Sequence, residues 1–186
     1  SIRIPASFCG IYGIKPTQGR VPLYPGISGT VTVNHFSQSG PMSRTVEDSA
    51  LMLQVMAGHD LRDVNTLRDK PGDYLAAMNR SVAGLKIAWS PDFGYATVDQ
   101  EVARICKESA LLFEGMGCIV EEVNLDLDES IFDAFWTMFT AVMSARYSPL
   151  VADKMDLLTE YGRECLDFGA NVSGAEFAKA LGARAE

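Results

Sequence analysis

Glycine and proline divide the first part of the chain into short apolar runs. The runs Ile11–Ile14 and Thr30–Phe36 are rich in residues that favour strands. The turn signals Lys15–Gly19 and Tyr24–Gly26 separate these runs, since proline and glycine are the residues that turns prefer. Residues 1–44 are therefore predicted to form strands and loops.

A helix is predicted to begin after Thr45. The Thr45 hydroxyl can accept a hydrogen bond from the N–H of Asp48 while the Asp48 carboxylate reaches back, which is a capping-box arrangement. Gly58 is a typical helix end. Apolar residues at helical spacing lie between these ends, at Val46, Ala50, Leu51, Leu53 and Val55.

A polar stretch and a strand–helix–strand pattern follow. Residues 59–81 hold charged residues, proline and glycine, so we expect a solvated loop with a short helix around Tyr74–Met78. The segments Leu85–Trp89 and Cys118–Leu125 have the pattern of strands. Between them lies one helical apolar face, formed by Val102, Ile105, Cys106, Leu112 and Phe113. This order predicts a βαβ unit with parallel strands.

The remaining residues, 129–186, have a helical pattern throughout. Breaks are predicted near Ser148-Pro149 and Gly169–Gly174, because proline and glycine disfavour helix. The most apolar stretch, Ile131–Tyr147, contains charged residues and is too short to cross a bilayer. We therefore expect a helical part that packs against protein rather than lipid.

The charge balance narrows the classes of partner. Lysine and arginine number 16 and aspartate and glutamate 24, which gives a net charge of −8. A surface that binds phosphates or anionic lipids needs clustered positive charge, and no basic run is present. We therefore expect no contact with nucleic acid or membrane. The sequence shows no signal-peptide pattern, and we expect a cytoplasmic location.

Cysteine and histidine are too scattered to predict a metal site. No two cysteines form a C-x-x-C pair, and there are only two histidines. We expect free thiols, no metal and no cofactor. His59 follows a helix end, where a cation suits the helix dipole, so capping or solvation is expected. The other histidine, His35, is expected to be packed or exposed without a special role. The cysteines are Cys9, Cys106, Cys118 and Cys165.

Two longer motifs carry candidate chemistry. The first runs from Ser1 to Thr17 and reads SIRIPASFCGIYGIKPT. The second runs from Gly40 to Asp48 and reads GPMSRTVED. Together they resemble the amidase signature family, whose corresponding motifs read GGSIRxPAxxCGxxGxKPT and GPxxR[ST]VxD. The specific match covers residues 1–58, and beyond them the resemblance lies in the order of elements.

The resemblance implies an α/β fold, with a mixed β-sheet flanked by helices, and a serine amidohydrolase. Ser1 aligns with the family's nucleophile, whose hydroxyl needs a base to remove its proton. In the family this base is a lysine that acts through a second serine with a cis peptide bond, and both precede the position of Ser1. The oxyanion hole consists of backbone N–H groups of the preceding Gly-Gly run and of the nucleophile itself.

The two ends of the sequence lead us to expect a fragment. It begins at Ser1 within a structured pattern and stops inside a helical one. Residues 1–186 would then be a partial amidase signature domain, with the signature part at 1–58, the βαβ unit at 84–126 and the helical part at 129–186. We expect this piece alone to lack amidase turnover and to self-associate through unpaired sheet edges.

Other signature residues are expected to have less direct roles. Arg3 would hold acidic or carbonyl neighbours near the nucleophile, with substrate contact as the alternative. Lys15 suggests a Ser-Lys pair, but it lies at a non-catalytic position of the motif, and we expect its stem to pack against neighbours or its ammonium to bond backbone carbonyls. Cys9 is expected to be a buried spacer, and Arg44 and Asp48 a local network at a helix start.

The resemblance leaves three functions open. The first is an amidase that forms an acyl-serine and hydrolyses it with water. The second is the glutaminase component, or A subunit, of a tRNA-dependent glutamyl or aspartyl amidotransferase, which has the same signature. Ile4 and the segment 33–39 depart from the residues usual in that glutaminase, which favours the amidase. The third is a catalytically inactive fragment that acts only as a binding module.

An aromatic stripe offers a candidate substrate pocket. The helix Phe132–Tyr147 carries Trp136, Phe139 and Met143 at helical spacing. One interpretation is core packing, and the other is that these three side chains line an acyl pocket for an aryl or alkyl amide. A small-molecule amide is thus the expected partner. The oligomeric state is left open, with a homodimer as one option.

Overall fold

The computed structural model describes residues 2–24 and 38–183. Contacts between Cα atoms group the chain into two compact units, Ser1–Arg80 and Ser81–Glu186. The first unit contains helices α1 (Arg3–Cys9), α2 (Val46–Met56) and α3 (Tyr74–Ala77) and strands β1 (Tyr12–Gly13) and β2 (Met42–Ser43). The second contains strands β3 (Lys86–Trp89) and β4 (Ile119–Glu122) and helices α4 (Gln100–Gly115), α5 (Ser130–Val151), α6 (Glu160–Ala170) and α7 (Gly174–Ala183).

A short antiparallel pair forms the sheet of the first unit. Tyr12 lies opposite Ser43 and Gly13 opposite Met42. The Ile14 N–H extends the pairing by donating to the carbonyl of Pro41 at 3.2 Å. The strand predicted at Ile11–Ile14 is thus confirmed at its centre, whereas the one predicted at Thr30–Phe36 lies outside the described residues, as does His35.

Helix α1 is an element that the sequence pattern did not predict. Pro5 is tolerated because it lies in the first turn, where backbone N–H groups have no partner inside the helix. Gly10 ends the helix with φ of 61° and ψ of 38°, and its N–H points at the carbonyls of Ala6 and Ser7. This is the left-handed conformation that glycine adopts at a helix end without strain. The prediction of strands and loops throughout residues 1–44 was therefore wrong here.

The Thr45 half of the capping box predicted for α2 is confirmed. The Thr45 hydroxyl accepts a hydrogen bond from the N–H of Asp48 at 3.1 Å. Leu53 and Ser49 are buried on the inner face of the helix. The Ser49 hydroxyl lies 2.6 Å from the hydroxyl of Ser43, which ties α2 to β2. The helix therefore begins where the sequence places it.

The segment after α2 is largely exposed, as its polarity predicts, but two of its polar residues are buried. Asp63 is only 3% exposed and Thr66 is also buried. The Asp63 carboxylate accepts hydrogen bonds from the backbone N–H groups of Leu23, at 2.8 Å, and Asn65, at 3.0 Å. Polar residues can be buried when their hydrogen bonds are satisfied. The loop therefore packs against residues 17–24, while the predicted short helix is confirmed as α3.

The βαβ unit of the second compact unit is confirmed. Strands β3 and β4 are parallel, with Lys86 opposite Ile119. The Asp99 carboxylate caps α4 by accepting from the N–H groups of Glu101 and Val102. No described residue of α4 is buried, although the helix lies against β4. The apolar face predicted from the sequence is thus partly exposed on this two-stranded sheet.

Helices α5, α6 and α7 form the rest of the second unit. The break predicted near Ser148-Pro149 is confirmed two residues later, because α5 ends at Val151 with Pro149 in its last turn and α6 begins at Glu160. The break predicted at Gly169–Gly174 is confirmed. There the Ser173 hydroxyl accepts from the Glu176 N–H while the Glu176 carboxylate accepts from the Ser173 N–H, a capping box that starts α7.

Small residues set the spacing between α5 and α6. A Cβ on Gly169 would overlap the carbonyl of Thr140 and lie 2.9 Å from the Cβ of Ser144. Thr140 is fully buried, and its hydroxyl donates to the carbonyl of Trp136 at 2.7 Å. The two helices can therefore approach this closely only because residue 169 has no side chain. The core of this part also includes Met138, Cys165, Leu166 and Ala180.

Candidate active site

The described part of the candidate site begins directly after the predicted nucleophile. Ser1 itself lies outside the described residues. Ile2 is 6% exposed, and its carbonyl accepts the N–H of Ala6 at 2.9 Å in the first turn of α1. Ile2 and Ala6 form the inner face of α1, four residues apart, as helical periodicity requires. The residue that follows Ser1 is therefore fixed by its backbone and by its side chain.

Two glycines of the signature motifs lie against Ile2. A Cβ on Gly13 would lie 2.9 Å from both the Cγ2 of Ile2 and the Cβ of Ala6. A Cβ on Gly40 would lie 2.6 Å from the Cδ1 of Ile2. Carbon atoms in ordinary contact are about 3.5–4.0 Å apart. The Ile2 side chain therefore occupies space that only glycine leaves open on β1 and just before β2.

Arg3 and Lys15, the two basic residues of the first motif, differ in their contacts. Arg3 is exposed, and its side chain makes no hydrogen bond or ion pair to a described residue. Its predicted role near the nucleophile stays a prediction. The Lys15 ammonium donates to the carbonyl of Pro16 at 2.7 Å. The prediction that Lys15 bonds a backbone carbonyl is thus confirmed.

The last residue of α1 corrects the prediction for Cys9. This cysteine is exposed rather than a buried spacer. Ile2 and Ala6 are buried, whereas Cys9 shares their helical face but is the last residue of α1 and is exposed. Phe8, which made the setting look apolar in the sequence, is itself 89% exposed. Cys106 is likewise exposed, Cys118 and Cys165 are buried, and all four thiols are free.

His59, which is exposed, takes part in a polar network in the loop after α2. Its Nδ1 lies 2.8 Å from the Thr66 hydroxyl, which also donates to the carbonyls of Asp60 and Asp63. Arg62 binds the Asp60 carboxylate at 2.7 and 2.9 Å, and these hydrogen bonds lower the pKa of Asp60 to about 2. The network makes His59 part of a structural loop, a role that local sequence signals did not reveal.

The three predicted acyl-pocket residues lie along one stripe of α5. The Trp136 ring is 6.3 Å from the ring of Phe139, centroid to centroid, and 6.2 Å from that of Phe168 on α6. Met143, two turns after Trp136, is half-buried. The stripe thus joins an aromatic cluster between α5 and α6. This clustering of aromatic side chains agrees with both interpretations, core packing and an acyl pocket.

A cleft of about 820 Å³ opens on another face of helices α5 and α6, where α7 also contributes to its lining. Its floor includes Ala134, Val172 and Ala180, and Phe168 links it to the aromatic cluster. Its rim carries acidic side chains from each of the three helices, at Asp133, Glu164, Asp167 and Glu176. Trp136, Phe139 and Met143 do not line this cleft, so their proposed pocket is a separate feature.

Two negative findings apply to residues 2–24 and 38–183. No three histidine, cysteine, aspartate or glutamate side chains come together there as metal ligands would. In the same ranges, no helix combines the length and the apolar character needed to cross a membrane.

Comparison with known proteins extends the resemblance to nearly the whole chain. The model of the family described as Amidase matches residues 1–185. The A subunit of the glutamyl-tRNA(Gln) amidotransferase from Acinetobacter baylyi is 36% identical over 183 residues, which are 92% of this chain and 37% of that protein. An acylamidase from Rhodococcus erythropolis is 36% identical over 142 residues, 73% of this chain and 28% of that protein.

Solved structures show the same fold. A bacterial aryl acylamidase of the amidase signature enzymes matches with a TM-score of 0.80 and 29% identity, over 100% of this chain and 39% of that one. The peptide amidase from Stenotrophomonas maltophilia matches with a TM-score of 0.72 and 23% identity, over 98% of this chain and 42% of that one. The chain thus spans well under half the length of these proteins. Its α/β fold is that of the amidase signature enzymes, and the chain belongs to the amidase signature family.

Proposed function

We propose that the protein hydrolyses carboxylic amides with Ser1 as its nucleophile. The Ser1 Oγ bonds to the amide carbonyl carbon while its proton passes through a second serine to a lysine, both of which precede the nucleophile in the family. The carbon–nitrogen bond then breaks and the amine leaves with a proton. Water cleaves the resulting acyl-serine ester, releases the carboxylic acid and restores the hydroxyl.

One observation carries this proposal. The signature starts at Ser1, and the residue after it is held by α1 and by two glycines of the same signature. A nucleophile must be fixed to a fraction of an ångström to react efficiently. The motif residues around Ile2 fix the residue next to Ser1 in place, which supports a catalytic role for this serine.

For the acyl group we propose the aromatic stripe of Trp136, Phe139 and Met143. Apolar and aromatic side chains dominate pockets for small organic molecules. The similarity to an aryl acylamidase at 29% identity supports an aryl or alkyl amide as the substrate. Trp136→Ala and Met143→Ala are then expected to raise KM for an aryl amide more than for acetamide, whereas a purely packing role predicts a loss of stability with no such preference.

The test of the main proposal is the variant Ser1→Ala in the full-length protein. It should lose amide hydrolysis while it stays folded by circular dichroism. Ser7→Ala is the matched control, because Ser7 is an exposed serine of α1. Ser7→Ala should keep its kcat. A Ser1→Ala protein that retains most of kcat would refute the nucleophile assignment and favour a non-catalytic binding role.

A second function is supported by the relatives. The A subunits of glutamyl-tRNA(Gln) amidotransferases are 36% identical over 183 residues in Acinetobacter baylyi and 43% over 125 residues in Ruthia magnifica. In that case the substrate is glutamine, and turnover requires a partner protein. Glutaminase activity that appears only when such a partner is added would establish this function. Hydrolysis of simple amides by the protein alone would establish the first.

Cellular location and assembly are further parts of the proposal. We propose a cytoplasmic protein, since the four thiols are free, as is usual in a reducing compartment. Fractionation of the source cells tests this location. A homodimer stays a prediction, and the molar mass of the full-length protein in solution, measured by light scattering, tests it.

A further inference from the structure

Gly13 lies at the centre of the packing around Ile2 and Ala6. Its Cα faces the inner side of α1, where a Cβ would lie 2.9 Å from Ile2 Cγ2 and 2.9 Å from Ala6 Cβ. Gly13 is also paired with Met42 in the β1–β2 sheet. The strand therefore cannot simply move away from α1 without breaking this pairing.

The neighbouring glycines of the signature have other reasons to be glycine. Gly10 has φ of 61° and no atom within 4 Å of a Cβ position, so it serves the helix end. Gly40 faces a backbone carbonyl, that of Ile14, which no side-chain movement can relieve. The atoms nearest to the Gly13 Cβ position are instead side-chain atoms, and both belong to the inner face of α1.

We infer that Gly13 is a positioning residue for the reaction, because it leaves the space in which Ile2 and Ala6 hold the start of α1 and thereby the adjacent Ser1. This inference rests on the proposed function, in which Ser1 attacks the amide. A methyl group at residue 13 pushes Ile2 and Ala6 outward by roughly 0.5–1 Å, the difference between 2.9 Å and ordinary carbon contact. Packed interiors do not absorb such a shift locally.

The test is Gly13→Ala in the full-length protein, assayed on an amide substrate. A displacement of about 1 Å at a reacting group lowers the rate by about 100-fold, so kcat should fall by about this factor. KM should stay unchanged, because substrate binding does not depend on the orientation of the nucleophile. The rate of Ser1 labelling by a fluorophosphonate should fall in parallel with kcat.

Two further variants separate positioning from general damage. Ala6→Gly removes one of the two atoms that the new methyl group meets, so the double variant Ala6→Gly with Gly13→Ala should regain about tenfold in kcat over Gly13→Ala alone. Gly10→Ala is the control for stability. It places an alanine at φ of 61° without touching Ile2, so it should lower Tm and leave kcat unchanged.

The outcomes also separate this inference from the proposed function. If Ser1→Ala is inactive while Gly13→Ala keeps the kcat and labelling rate of the unmodified protein, the positioning role is overturned and the nucleophile stands. The positioning role is also overturned if Ala6→Gly does not restore any of the kcat that Gly13→Ala loses. It is overturned as well if Gly10→Ala lowers kcat as much as Gly13→Ala does at the same loss of Tm. If Ser1→Ala stays active, the proposed function itself fails.

Discussion

Single polar residues decide how the loop after α2 folds. The pattern of charges in residues 59–81 predicted solvent exposure, because aspartate, arginine and proline usually lie at the surface. Most of these residues are exposed, but Asp63 is buried, and the backbone N–H groups of Leu23 and Asn65 donate to its two carboxylate oxygens. A sequence pattern reports the polarity of a residue but not the partner that satisfies it. One such partner lies 40 residues away here.

Removal of the Asp63 carboxylate should therefore destabilise the protein. Asp63→Ala leaves the N–H groups of Leu23 and Asn65 without their acceptor, which costs about 1–3 kcal/mol for a buried group. Asp69→Ala is the matched control, since it removes an exposed carboxylate that pairs with Arg20 at 2.9 Å. Exposed pairs contribute about 0–1 kcal/mol. Urea unfolding measures both, and equal losses in the two variants would contradict the role given to Asp63.

The low pKa of Asp60 predicts a pH dependence of stability. Hydrogen bonds from Arg62 hold the pKa at about 2, below its ordinary value of 3.8. The ionised carboxylate is thus favoured in the folded protein, and its contribution is complete above about pH 4 and is lost as the pH falls toward 2. Asp60→Asn should therefore flatten the dependence of unfolding free energy on pH in this window. An unchanged slope would show that this pair does not contribute.

At the scale of elements, the sequence predicted the helices, strands and helix ends that depend on local spacing and capping residues. The βαβ unit, the Thr45 cap and the break at Gly169–Gly174 follow from spacing and capping residues, and all are confirmed. Helix α1 was missed because its sequence holds proline and too few residues to show a helical period. Pro149 predicted a break, and α5 ends two residues after it, because a proline in the last turn removes a hydrogen bond of the helix.

Two glycines in helices allow a direct comparison between the effects of interhelical packing and of intrinsic helix propensity on stability. Gly169→Ala should destabilise the protein by about 2–3 kcal/mol, because its methyl group overlaps the Thr140 carbonyl on the facing helix. Gly182→Ala should stabilise it by about 0.5–1 kcal/mol, since residue 182 lies in α7 with no atom within 4 Å of a Cβ position. Thermal unfolding gives both signs. A stabilising Gly169→Ala would refute the close approach of α5 and α6.

At the scale of the whole molecule, the candidate site could be only partly predicted. The signature motifs identified Ser1 and the family, because a chemical role imposes residue types at fixed spacing. They did not reveal that Gly13 and Gly40 enclose Ile2, since that contact joins segments far apart in the sequence. The aromatic stripe on α5 was visible as spacing, yet only the structure shows that it packs against Phe168 of α6.

The central claim is that Ser1 attacks the amide carbonyl, and covalent labelling tests it most directly. The full-length protein is treated with a fluorophosphonate, digested and analysed by peptide mass spectrometry. We predict one adduct on the Ser1 hydroxyl, formed at the rate at which amide hydrolysis is lost, and no adduct in Ser1→Ala. An adduct on another serine with Ser1 unmodified, or full inactivation of Ser1→Ala by the probe, would contradict it.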